Sequence, residues 1–417
     1  MEIVAMSVFQ DMADGSVTTP QGWQASGVVA GLKRSGAPDL ALLLSDRPAA
    51  VAAAFTANAF AAAPVQVDRE VVAAGRPVRA VVVNSGNANA CTGERGLADA
   101  REMAQFTAGL LKVAPGEVLV SSTGRIGVPM PMAKIRHGIE LAAAALSSAG
   151  GLRAAEAIMT TDTTRKSLAV ALTVDGRPVR IGGMTKGAGM IAPKLRPAGP
   201  PQATMLAYLT TDAAVAPAFL QQCLNRALDA SFNRITVDGD TSTNDTFLAL
   251  ANGAAGNRPL DAGHPDAAAF QAAFSHVAGR LAREMVLDGE GVTRFVELVV
   301  TGARDDEQAR RCAEAIANSL LVKTAWFGAD PNWGRILCAA GYSGVEINTA
   351  KVSLDYGTVP VVRGGMDAGT PEAEQVQAIK RREFTVALGL GVGSGAFTVW
   401  TCDLSYEYVK INADYHT

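Results

Sequence analysis

Apolar positions along this chain alternate between short strand-like runs and helix-like stripes. Arg79-Ala80-Val81-Val82-Val83 reads as a buried strand that stops at the turn-rich Asn84-Ser85-Gly86-Asn87. Gly93 to about Lys112 carries apolar residues three and four apart and predicts a helix. Glu117–Val120 predicts another strand, followed by the polar turn Ser121-Ser122-Thr123-Gly124, and an Ala-rich helix is expected over roughly 138–148. Ser167–Val174 and Pro178–Ile181 form a predicted strand pair joined by Asp175-Gly176-Arg177, a good hairpin turn. Further helices are expected near 216–230, 265–285 and 305–319, and strands at Thr293–Val300, Lys351–Asp355, Arg382–Leu388 and Ala396–Leu404. Mixed elements of this kind imply an α+β or layered α/β protein.

Pro193–Pro201 breaks this pattern most strongly, with four prolines in nine residues. Proline removes a backbone donor and disfavours regular structure, so by composition alone the segment reads as a domain linker.

Composition narrows the function classes. The 417 residues leave room for two or three domains, and 48% hydrophobic with 18% charged residues is ordinary for a globular protein. A formal net charge of -3 points away from general nucleic-acid or membrane binding. The first residues lack a basic stretch leading into a long apolar one, and no window approaches the ~20 apolar residues of a membrane span. Cys91, Cys223, Cys312, Cys338 and Cys402 are scattered with no CxxC pair. Neither a zinc site nor a disulfide framework is expected, and a reducing cytoplasm is the simplest location.

Two motif-like stretches fail on chemistry. Gly391–Ala396 fits GxGxxA, but Phe397–Thr401 reads as strand where a dinucleotide site needs a helix. Asp238–Asp245 alternates oxygen side chains like a calcium loop, yet has Thr243 at the glycine position and Ala249 at the final glutamate position. It is expected to be a polar turn, and no metal is expected.

The informative segment is Lys186-Gly187-Ala188-Gly189-Met190-Ile191-Ala192-Pro193, then Gln202-Ala203-Thr204-Met205-Leu206 through Thr210-Thr211-Asp212-Ala213. On local sequence alone, Thr204 reads as a helix N-cap rather than a nucleophile. Here, however, the sequence resembles the ornithine acetyltransferases, the bifunctional glutamate N-acetyltransferases of arginine biosynthesis. The resemblance continues in order through Ala25–Gly31, Phe55–Asn58, Asn84–Ala90, Ser122–Gly124, Ala157–Thr163, Asp238–Asp245, Asp288–Gly291, Asp330–Arg335 and Tyr408–Thr417.

This resemblance implies a layered α-β-β-α sandwich of the self-cleaving N-terminal-nucleophile type. It implies cleavage at Ala203–Thr204 into an α chain of residues 1–203 and a β chain of residues 204–417, assembled as an α2β2 heterotetramer. Thr204 is then the nucleophile. A threonine hydroxyl needs a base, and a freed α-amine, with an ordinary pKa of about 7.7–8.0, can serve. Thr123 and Gly124 match the family's oxyanion-hole pair; without the resemblance they read as a strand-exit turn. Substrate contacts are expected at Thr160 (with Thr161 as the alternative), Lys186, Thr204, Glu290, Asn412 and Thr417. Lys186 can supply a cation for a carboxylate and Glu290 an anion for an amine; alone, each reads as a turn residue.

The implied reaction is acetyl transfer from N2-acetyl-L-ornithine to L-glutamate by a ping-pong cycle. No cofactor is expected, and use of acetyl-CoA as a co-substrate stays open. A self-cleaving aminopeptidase or amidohydrolase of related fold is the alternative. One departure is evident: Lys186 and Thr204 are 18 positions apart, and Lys194–Gln202 resembles an insertion just before the scissile bond.

Overall fold

The computed structural model describes residues 8–193, 195 and 205–414. The chain forms two compact units. One comprises the residues up to Asn233 and Asp240–Met285, and the other Arg234–Gly239 and the residues from Val286 onward.

Among the described residues, the first unit carries nine strands: β1 (Phe9–Met12), β2 (Trp23–Val28), β3 (Leu40–Phe55), β4 (Val78–Asn87), β5 (Val118–Arg125), β6 (Lys166–Val174), β7 (Arg177–Lys186), β8 (Leu206–Thr211) and β9 (Thr246–Ala251). Its helices are α1 (Ala63–Ala73), α2 (Gly93–Leu111), α3 (Met132–Ala144), α4 (Gly151–Ala157), α5 (Pro217–Ala230) and α6 (Ala267–Leu287). Strand β3 is the pivot. Its first part pairs with β2 and β4, its last part with β9, and the register shifts between Leu44 and Ala49, around Pro48. A bulge of this kind lets one strand pass from one sheet to the next. The two sheets therefore run β2-β3-β4-β5 and β1-β6-β7-β8-β9-β3.

Alternation within the strands builds the layers. Ala41, Leu43, Val81 and Val83 face inward and share a core with Met184, Leu206, Tyr208 and Leu248 of the second sheet. Their neighbours Leu40, Leu42, Ala80 and Val82 face outward and pack on Met103 and Ala104 of α2 and on Ile135 and Ile139 of α3. Strands buried on both faces read as continuous apolar runs, which is why Arg79–Val83 shows no polar alternation. Across the second sheet, Phe247 of β9 lies 5.2 Å from the Phe232 ring and 6.4 Å from Phe274 of α6. Gly183 of β7 has no side chain where Val277 and Leu281 of α6 press in; an added Cβ would meet them at 2.9 and 2.8 Å. Helix, sheet, sheet and helix thus stack in the expected α-β-β-α order.

The second unit has a six-stranded sheet of β10 (Phe295–Ala303), β11 (Ser353–Tyr356), β12 (Val359–Arg363), β13 (Met366–Asp367), β14 (Glu383–Gly389) and β15 (Gly395–Cys402), ordered β13-β12-β11-β14-β10-β15. With it go α7 (Asp306–Ala317), α8 (Leu320–Gly328), α9 (Trp333–Tyr342), α10 (Glu372–Ile379) and α11 (Tyr406–Asp414). Val296, Leu298 and Val300 of β10 pack on Cys312 and Ile316 of α7 and Ala339 of α9. Asp305 caps α7, accepting from Gln308 N at 2.9 Å.

Two sequence expectations change. The Ala-rich helix spans Met132–Ala144 rather than 138–148, because Ser147 and Ala25 exchange two backbone hydrogen bonds that fix the chain in an extended bridge. Asn84–Asn87 and Ser121–Gly124, expected as turns, are the ends of paired strands. As expected, Gly391–Ala396 leads into strand β15 and not a helix. The proline-rich segment is described only at Pro193 and Leu195. Among the described residues, no helix is long and apolar enough to cross a membrane.

Candidate active site

Strands β4 and β5 run parallel and end together. At that end Asn87 partners both Thr123 and Arg125, so the ladder is irregular where Gly86 faces Gly124. Both glycines have positive φ, +103° and +128°. A Cβ on Gly124 would lie 2.4 Å from the Gly86 carbonyl carbon and 2.6 Å from Asn87 N, so only glycine fits there. Asparagines replace the missing ladder bonds. Asn84 accepts from Ser122 Oγ at 2.6 Å and donates to Asn87 O at 2.8 Å. Asn244 donates to Ala88 O at 2.6 Å and Ser122 O at 2.8 Å, tying the Asp238–Asp245 motif to the same strand end. The polar motifs therefore shape this irregular end of β5, which carries Thr123 and Gly124.

Lys186, the last residue of β7, is buried and aims its ammonium at this point. Its Nζ donates to Thr160 Oγ1 at 2.8 Å and Thr123 Oγ1 at 3.3 Å. Of the two candidate threonines, Thr160 is the one placed on Lys186. Asp162 organises the surrounding turn. It accepts from Gly187 N and Lys166 Nζ at 2.7 Å each and from Thr160 N at 3.0 Å. Burial opposes ionisation of Asp162, but the charges of Lys166 and Lys186 with these donors outweigh it and hold the carboxyl well below its usual value.

Two residues here were not singled out from sequence. Asp162 was visible only as part of the Ala157–Thr163 motif. Lys33 lies on a loop wrapped around buried Asp39, which accepts from the amides of Ala30, Leu32 and Lys33. Burial, with Lys186 adding to it, lowers the Lys33 amine to about 8, against the pull of Asp39 and Asp162. Its only sequence signal was its place two residues after the Ala25–Gly31 motif.

In the second unit, Asn412 of α11 donates to Glu290 Oε2 at 2.7 Å. Gly291 has φ +67°, and a Cβ there would meet Ser405 Oγ and Tyr408 N at 2.6 Å, so glycine lets α11 sit against the Asp288–Gly291 turn. Ser405 Oγ donates to Gly291 O at 2.6 Å. The structure thus gathers the sequence-predicted residues into two groups: Thr123, Gly124, Thr160 and Lys186 in one unit, Glu290 and Asn412 in the other. Ala203, Thr204 and Thr417 lie outside the described residues.

Chemically, the first group presents a buried ammonium beside two hydroxyls, suited to an anion or a developing oxyanion. The second presents a carboxylate held by an amide, suited to an amine.

The ArgJ family model matches residues 24–417. The arginine biosynthesis bifunctional protein ArgJ of Geobacter sulfurreducens is 52% identical over 398 residues, covering 95% of this chain and 99% of its own. Its namesake from Symbiobacterium thermophilum is 48% identical, covering 97% and 99%. Among solved structures, ornithine acetyltransferase of Mycobacterium tuberculosis complexed with ornithine is 42% identical with a TM-score of 0.42, covering 45% of this chain and 100% of that one. With identity this high over nearly its whole length, the chain belongs to the ArgJ family.

Proposed function

We infer that this chain is the glutamate N-acetyltransferase of arginine biosynthesis, moving acetyl from N2-acetyl-L-ornithine to L-glutamate, and that it also has amino-acid N-acetyltransferase activity with acetyl-CoA as donor. The ArgJ match over residues 24–417 carries this reading. The hydrolase alternative is not favoured.

In the proposed mechanism the Ala203–Thr204 bond is cut and Thr204 becomes the N-terminal nucleophile. Its α-amine takes the Oγ proton as Oγ attacks the acetyl carbonyl. Thr123 and Gly124 donate to the oxyanion. The ornithine amine departs with the proton, and glutamate then attacks acetyl-Thr204 to regenerate the enzyme. Lys186, Thr160 and Thr417 take substrate polar groups; Glu290 and Asn412 take the amine.

Sheet pairing supports the two-chain form. Strand β8 begins two residues after Thr204 and lies between β7, from the 1–203 product, and β9. Its ladder bonds to β7 keep the two products joined after the cut. Two such pairs give the proposed α2β2 heterotetramer, placed in the cytoplasm. The test supplies purified enzyme with each donor plus glutamate. Acetylglutamate from both donors is expected from wild type and from neither with Thr204→Ala, which also stays as one band on a denaturing gel. Acetyl released to water as fast as it reaches glutamate contradicts the reading.

A further inference from the structure

Lys33 is a half-buried cation that the mechanism above leaves unused. Its loop is built against the strand end that carries Thr123 and Gly124. The Asp39 carboxylate holds the amides of Ala30, Leu32 and Lys33, and Asp39 O accepts from Ser85 N at 2.9 Å. Ser85 of β4 pairs in register with Thr123 of β5. Leu32 lies over the neighbouring Gly86, where an added Cβ would meet Leu32 Cβ at 3.4 Å and its carbonyl carbon at 3.5 Å. The Lys33 ammonium turns back along the loop and donates to Pro38 O at 2.6 Å, one residue from the Asp39–Ser85 bond. An ammonium has three donors, and among the described residues Pro38 O is its one hydrogen-bond acceptor.

Holding a second amine beside a buried first one is unfavourable and calls for a reason. Lys186 Nζ stands 3.3 Å from Thr123 Oγ1, on the strand that pairs with Ser85. Its charge acts against that of Lys33. The two carboxylates that act on Lys33 are engaged elsewhere: Asp39 by its three amides, Asp162 by Lys166 Nζ and the Gly187 amide at 2.7 Å each. Two ammonium groups at one strand end suit a ligand with two carboxylates. In the reaction proposed above the acceptor is such a ligand and the donor is not. Glutamate carries an α-carboxylate and a side-chain carboxylate, whereas acetylornithine carries one carboxylate and a side-chain amine.

We propose that Lys33 binds the side-chain carboxylate of glutamate, leaving Lys186 to the carboxylate that both substrates share, and so selects the acceptor in the second half of the cycle. This rests on the ping-pong reading above. No covalent bond changes at Lys33. Its ammonium keeps the Pro38 contact and turns its remaining N–H groups to the carboxylate when glutamate enters. The Asp39 grip on the loop amides fixes where that ammonium can reach, so the site is largely formed before the acceptor arrives.

The test is Lys33→Gln in the full chain, which removes the charge and keeps an N–H donor for Pro38 O. In a ping-pong cycle kcat/KM for each substrate reports its own half-reaction. The value for glutamate should fall roughly 10-fold or more, as expected for losing a hydrogen bond to a charged group. The value for acetylornithine should stay within about twofold of wild type. An unchanged value for glutamate overturns the proposal, and so does an equal fall for both substrates, which would mark Lys33 as a structural lysine. Should the variant fail to fold, the wild-type enzyme decides. With 15N-lysine labelling, one side-chain amine should titrate at about 8, and glutamate added without donor should raise that value. An amine that glutamate leaves unmoved overturns the proposal. Intersecting rather than parallel double-reciprocal plots for wild type would sink the ping-pong reading itself, a failure distinct from an unmoved glutamate value.

Discussion

Gly124→Ala isolates the geometry on which the oxyanion assignment depends. The residue sits at φ +128°, and the added methyl would meet Gly86 C at 2.4 Å and Asn87 N at 2.6 Å. Ordinary contact begins near 3.4 Å, so the ends of β4 and β5 must part by about 1 Å at this point. Backbone strain at a left-handed position costs about 1–3 kcal/mol, which should appear as a lower unfolding midpoint. The larger effect falls on rate, since a displacement of about 1 Å at a reacting centre costs on the order of 100-fold. Gly86→Ala is the control. It shares the positive φ, but its methyl's nearest neighbours are atoms of Leu32 at 3.4–3.6 Å, so it should lose stability with a smaller loss of rate. The assay is steady-state transfer from acetylornithine to glutamate with thermal unfolding of the same samples. If Gly124→Ala keeps kcat within about threefold of wild type, roughly 0.7 kcal/mol, that strand end does not hold the oxyanion.

Lys186→Met should lower kcat/KM by about 10- to 100-fold, since hydrogen bonds from a charged group are worth about 1.5–3 kcal/mol; steady-state kinetics checks this. Asp162→Asn takes the paired carboxylate from the buried Lys166 ammonium and should cost about 3–5 kcal/mol in urea unfolding. Because the folded Asp162 carboxyl is depressed, its contribution is full above the unfolded value near 3.9 and is lost as pH falls through the folded one. The destabilisation by Asp162→Asn should therefore be largest near neutral pH and shrink in strong acid, and urea midpoints across that range would reveal an opposite trend. Deleting Asn412–Thr417 removes the Glu290 partner, and α11 buries none of its residues. Activity should drop sharply with the unfolding midpoint almost unchanged; full activity would exclude the tail from the site.

Elements with a clean period were readable in the sequence. The strand at Arg79–Val83, the helix from Gly93 and the hairpin at Asp175–Arg177 all appear where the pattern put them. Others were hidden for physical reasons. The second half of β3 is Ala-rich and β9 is buried on both faces, so neither shows a polar alternation. Helix α11 buries no residue and leaves no apolar stripe. Asn84–Asn87 and Ser121–Gly124 carry turn residues but remain strand, because glycines take the positive φ and asparagine side chains supply the missing bonds. The candidate site residues were named by resemblance, and their meeting was not legible. Thr123, Thr160 and Lys186 are far apart in sequence and are joined only by the folded sheet ends. Asp162 showed only inside a motif and Lys33 only beside one, since their importance comes from charges that the fold brings near.

The central claim, that acetyl passes through Thr204, is tested most directly by intact-mass measurement of the 204–417 chain after incubation with acetylornithine alone. One acetyl group should appear on Thr204, vanish when glutamate is added, and never form on Thr204→Ala. A wild-type chain that turns over substrate without ever carrying acetyl would contradict the account.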